Sequence, residues 1–181
     1  MAEMKELYKS NKSRVFVIHG RNEEIRRALF DFLRAIDLKP IEWSLAVTLT
    51  GKPAPFVGEI LDAAMGHAQA IVVLFTGDDQ ARLRDEFLSG NDPDYERETT
   101  PQSRPNVIFE AGLALGKYPE RTILVQVGNL RPFSDIAGRH FVCLRNSPKS
   151  RQELAQRLKL AGCEVELSGT DWLEAGSFPP K

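Results

Sequence analysis

Glu110 is the one acidic residue between Arg104 and Tyr118, in the stretch RPNVIFEAGLALGKY. Its neighbours Val107, Ile108, Phe109, Ala111 and Leu113 are apolar. A carboxylate so placed loses solvation and needs either a partner or a chemical role. On a helix, Asn106 precedes it by four residues, and Gly112 and Gly116 follow at small-residue spacing. Such glycines either let the helix approach a neighbour or leave space beside the carboxylate. Periodicity alone also admits a Glu that reaches solvent or completes a salt bridge.

Three further groups of residues carry chemistry. In HGRNEE, His19, Gly20 and Arg21 follow an apolar run and open a helix. Backbone N–H groups at such a start, with an Arg beside them, suit a phosphate or pyrophosphate. The pattern is neither G-x-G-x-x-G nor a P-loop, and an ordinary turn with a surface Arg fits the same residues. A single His19 reads as a rim or core histidine as readily as a catalyst. Asp78 and Asp79 also follow a strand. No acidic cluster of matching spacing supports a metal or phospho-acceptor there, so they read as a helix cap or as acceptors for ribose hydroxyls. Glu42-Trp43 puts an indole at a strand end, where it packs or stacks on a ring.

These groups need elements to position them. RVFVIHG and AQAIVVLFTGDD are short apolar runs ending at glycine, as strands buried on both faces are. LKPIEW, RTILVQVG and HFVCLR complete a set of five strands. An amphipathic helix starts near Asn22, with Ile25, Leu29, Phe32, Leu33 and Ile36 on one face. PFVGEILDAAMGHA, with Pro55 near its first turn, RPNVIFEAGLALGKY, and SPKSRQELAQRLKLAG, with Ser147 or Ser150 as its cap, are three more helices. The charged segment 80–103 predicts a short helix over Arg82–Leu88 and then a mobile loop. Trp172 anchors a loop-like tail. Alternation of strand and helix predicts a three-layer, flavodoxin-like α/β domain over 15–181, with a mainly parallel sheet of about five strands and a polar lead-in at 1–14. Ligands in such folds sit at the carboxyl ends of the strands. His19 to Asn22, Glu42-Trp43 and Asp78-Asp79 collect there, and Glu110 joins them if its helix starts at that rim.

Composition narrows the partners. With 24 Lys plus Arg against 25 Asp plus Glu, the net charge of -1 argues against nucleic acid or an anionic membrane as main partner. The longest apolar run is far too short to span a bilayer, and the polar start is no signal peptide. Cys143 and Cys163 lack paired spacing and read as buried thiols of a reducing, cytoplasmic compartment.

Taken in order, several motifs resemble one family. RPNVIFEAG, then RTILVQV, then PFSDIAG are similar to the aromatic-Glu-x-Gly helix, strand and P-S-D-x-x-G of a prokaryotic TIR-like family. Members of that family are predicted nucleotide-binding proteins and serve as effectors in bacterial anti-phage defence. VFVIHGRNEEIRRALFDFL, IVVLFTGDD and TDWLEAGSF match its first strand and helix, third strand and C-terminus. Phe133 interrupts P-S-D, and Ala114 stands where many relatives carry a bulky residue. The resemblance implies hydrolysis of NAD+ at the nicotinamide–ribose bond, with Glu110 as catalytic residue. His19, Gly20, Arg21, Trp43, Asp78, Asp79 and Phe109 form the expected substrate-binding set. It implies no metal and no cofactor beyond NAD as substrate. It further implies self-association into TIR assemblies, and activation by a separate protein or by a sensor in a longer chain. Two alternatives remain: a nucleoside deoxyribosyltransferase-like N-glycosidase, whose E-x-G-x-A helix EAGLALGKYP also fits, and a non-catalytic assembly module.

Overall fold

Arg14–His19 forms β1, whose four interior residues are buried, and Ala70–Phe75 forms β3, buried at every position. Strands enclosed on both faces need such uniformly apolar sequences. With β2 (Lys39–Pro40), β6 (Thr122–Gln126) and β7 (Phe141–Cys143) they make a five-stranded sheet. Its order is β2-β1-β3-β6-β7, and every pairing is parallel. The computed structural model describes residues 12–136 and 138–180, so the expected lead-in lies outside the described residues as far as position 11.

Successive residues of a strand face opposite layers, and the core divides accordingly. Val15, Val17, Val72 and Leu74 pack under α1 (Glu23–Ala35) and α6 (Pro148–Leu160). Phe16, Ile18, Ile71 and Val73 pack under α2 (Trp43–Leu49), α3 (Val57–His67) and α5 (Pro105–Lys117). The result is the three-layer α/β architecture that the strand and helix patterns predict. Asn22 caps α1 by accepting from the Ile25 N–H at 3.1 Å, and Ser147 caps α6.

The structure corrects several expectations. The second strand is only two residues long: the Ile41 N–H makes a last bond to the Val15 carbonyl at 2.8 Å, and the chain then turns away. Trp43 then opens the short helix α2, where the sequence reading ran from strand into loop. Pro55 stays outside α3, which begins at Val57. Segment 80–103 holds a two-stranded antiparallel ladder of β4 (Asp79–Ala81) and β5 (Thr100–Gln102). Between them lie a single 3-10 turn at Asp85–Phe87 and the short helix α4 (Asp94–Arg97), in place of one helix and a plain loop. Arg97 organises the turn here by donating to the carbonyls of Ser89, Gly90 and Asp92 at 2.7, 2.7 and 2.9 Å. Cys143 is exposed, because it ends the edge strand β7. Cys163 is buried, and burial pushes its thiol up to about 12.

The tail is fastened by one buried cation. Arg151 on α6 is 1% exposed. Its guanidinium donates to the carbonyls of Ala175 and Gly176 at 2.8 and 2.5 Å and to Asn146 Oδ1 at 2.9 Å. It also lies over the Phe178 ring at 5.2 Å. Trp172 and Phe178 are thereby held buried against α1 and α6. Arg151→Ala would leave buried carbonyls without donors, so we expect a loss of about 3 kcal/mol and a fall in Tm of about 10 °C. Thermal and urea unfolding measure it, and Arg151→Lys should recover little, because an ammonium cannot span these acceptors.

Candidate active site

α5 starts at the carboxyl edge of the sheet, and polar contacts fix where it starts. Ser103, just ahead of it, donates its hydroxyl to the Thr76 carbonyl beyond β3 at 3.1 Å. Arg104, its N-cap residue, pairs with Asp79 at 3.1 Å. Asp78 reaches across to the end of β1 and accepts from the Arg21 N–H at 2.6 Å. Its carboxylate lies directly over Gly20, where an added Cβ would fall well inside van der Waals contact. A side chain at position 20 therefore cannot coexist with this bond.

Seated this way, α5 presents Glu110 on its second turn to a cleft of about 380 Å³. The floor is the open edge of β1 from Phe16 to His19, which two-residue β2 leaves uncovered. Ile41, Trp43 and Leu61 form one wall, and Phe30 with Arg26 forms another. The Phe30 ring meets His19 edge-on at 6.5 Å and carries Arg26 and Arg34 over its faces at 4.9 and 5.5 Å. Arg26 is already engaged, with Glu23 at 2.7 Å and Glu42 at 3.8 Å. Glu42 also holds Arg34 at 3.0 Å. The hydrogen bond from Arg26 keeps the Glu23 carboxyl below its ordinary value.

Glu110 is half-buried and has no hydrogen bond or ion pair among the described residues. Desolvation by burial raises its pKa above the ordinary value. The cleft lining therefore holds three carboxylates and one guanidinium, and that guanidinium is occupied. Such a site favours a cationic or electron-poor group beside Glu110. Among the described residues, no group of His, Cys, Asp and Glu is placed to hold a metal ion.

Of the residues singled out from sequence, Glu110, His19 and Trp43 meet in this cleft, and Trp43 is 51% exposed at its mouth. Gly20, Arg21, Asp78 and Asp79 lie at the neighbouring edge. There Asp78 takes the N–H that a phosphate would use, and neither Asp caps a helix. Phe109 points outward at 72% exposure and does not line the cleft. Gly112 and Gly116 face open space, so they serve no close helix contact within the chain. Sequence reasoning missed Phe30 and Arg26, neither of which the α1 pattern singles out. It also missed Arg104, which reads only as the first residue of the helical stretch.

Residues 14–146 match the family described as CAP12/Pycsar effector protein, TIR domain. The match covers most of the chain, and the protein belongs to this family of TIR effector domains of anti-phage defence. A search of curated proteins gives no match. No helix among the described residues is long and apolar enough to cross a membrane.

The bond over Gly20 makes a testable prediction. Gly20→Ala should lower stability by about 1–2 kcal/mol by displacing Asp78. In an Asp78→Ala background most of that cost should vanish, and a double-mutant cycle in urea measures the coupling.

Proposed function

We propose that this TIR domain is an NAD+ glycohydrolase. Water adds to C1′ of the nicotinamide riboside, the C1′–N bond breaks, and ADP-ribose, neutral nicotinamide and a proton result. The observation that carries this reading is the unpaired carboxylate of Glu110 in an aromatic-lined cleft of negative character. A pyridinium leaves as a neutral base, so the reaction needs no strong general acid. It needs a negative charge beside the oxocarbenium-like ribose, held where water does not screen it. Trp43 supplies a surface for the ring, and His19 lies within the same cleft. Arg21 has an exposed guanidinium with no partner among the described residues, and it serves the phosphates outside the cleft. Asp78 and Asp79 act by seating α5 rather than by touching substrate. No metal or cofactor enters this scheme. The enzyme would act in the cytoplasm, where it depletes nucleotide upon activation by a separate protein or a linked sensor.

Nicotinamide release from NAD+ by concentrated protein tests this reading. Glu110→Gln should abolish it with the fold intact, and Arg21→Ala should raise KM with little change in kcat. Glu110-independent release, or release of a free base from deoxynucleosides instead, would overturn it. Because Glu110 titrates above the ordinary 4.5, activity on acidification should fall at a higher pH than an ordinary Glu would give. Stability runs the opposite way. A raised native pKa means the folded state binds more protons through that window, so Glu110 costs stability as pH rises through its native value. Glu110→Gln should therefore match or exceed wild type in Tm at neutral pH, and the gap should close below about pH 4.5.

A second element of the reading is self-association. Phe109, 72% exposed, shares a face of α5 with Gly112 and Gly116, which are open to solvent. This face suits a second TIR domain, and Phe109→Ser should shift sedimentation toward monomer and lower specific activity together. Full activity in a strictly monomeric sample would remove assembly from the mechanism.

A further inference from the structure

α5 separates two cavities. Glu110 faces the cleft, whereas Ile108, about 200° around the helix, borders a larger cavity of about 480 Å³. The two share no lining residue. The second lies at the carboxyl ends of β3 and β6, bordered by Phe75 and Gln126, where open α/β sheets place ligands.

Its walls are aromatic. Phe75 meets Phe133 at 5.8 Å and Phe141 at 5.6 Å in tilted pairs, and Tyr95 lines the same space. The Phe133 that interrupts the P-S-D motif thus contributes one of these rings. Polar groups border the rings. Arg131 and Glu96 form a mostly buried pair that neutralises itself. Arg139 is exposed, and its guanidinium has no partner among the described residues. The Gln102 amide and Ser134 hydroxyl are likewise without partners there. Among the described residues, the cavity therefore carries one uncompensated positive charge, opposite in sign to the cleft across α5.

We propose that this cavity is a binding site for a planar heteroaromatic ring carrying a phosphate-like anion, separate from the Glu110 cleft. The ring packs on the phenylalanine and tyrosine faces, which tolerate any flat π-system. The anion pairs with Arg139, whose planar donor fork matches phosphate oxygens. Gln102 offers both a donor and an acceptor to heteroatoms on the ring edge. A volume of about 480 Å³ falls within the range of small-ligand sites and accommodates a nucleoside monophosphate.

Isothermal titration of the intact protein with AMP, adenosine and inorganic phosphate tests the site without relying on hydrolysis. AMP should bind saturably at one site, and adenosine about tenfold more weakly, since one charge-assisted contact is lost. Arg139→Ala, at an exposed position, should erase the difference between the two probes. Phe133→Leu should weaken both equally, and Trp43→Ala, in the cleft, should change neither. The proposal fails if AMP does not saturate below about 1 mM, if Arg139→Ala leaves AMP affinity unchanged, or if Trp43→Ala abolishes binding and so places AMP in the cleft.

Discussion

The arrangement of this molecule turns on where α5 begins. A helix joined to the sheet through a long, charged excursion has no short loop to fix its position. It is fixed by polar contacts at the carboxyl edge: Ser103 on the Thr76 carbonyl, Arg104 on Asp79, and Asp78 across Gly20 to the Arg21 N–H. Each links the end of β3 to α5 or to the end of β1. The Asp79–Arg104 pair is only partly exposed, so solvent screens it less than a surface pair. The glycine is required because the carboxylate occupies the volume where its side chain would project. Val107, Ala111 and Ala114 along α5 then bury against the sheet, and Glu110 falls opposite the gap that β2 leaves.

That gap has its own cause. Parallel strands gain a neighbour only as far as the ladder runs, and the ladder on β2 closes with the bond from the Ile41 N–H to the Val15 carbonyl. Beyond it the chain becomes α2, so the upper half of β1 has aromatic side chains instead of a strand along its edge. Phe30 is held there by cation–π contacts from Arg26 and Arg34, which Glu23 and Glu42 keep in place. These arginines are consumed locally. Glu110, by contrast, has no such partner among the described residues, and burial raises its pKa.

The sheet and its enclosing helices were legible because apolar runs and helical periods are local properties. Glu110 was legible for a related reason, since an acid in an apolar helix conflicts with its surroundings at short range. What escaped depends on contacts distant in sequence. Nothing around Asp78 says that its partner is an N–H 57 residues away, so its two sequence readings, cap and ribose acceptor, both missed the bond it makes. Segment 80–103 read as a short helix and a mobile loop because its order comes from Arg97 bonding to three carbonyls and from Arg131, beyond α5, pairing with Glu96. Phe109 read as part of the site because it adjoins Glu110 in sequence. One step along a helix is about 100°, enough to turn it from the cleft to solvent.

The same helical geometry sets the relation between the two cavities. A wall one helix thick divides a space of three carboxylates from one with an unpaired guanidinium, and each space has aromatic sides. Opposite potentials so close together sort ligands by charge more than by shape, because aromatic walls accept most flat rings. A cationic ring gains beside Glu110 and loses beside Arg139, and an anion-bearing ring does the reverse. An occupant beside Ile108 would press on the same two turns of α5 that carry Glu110.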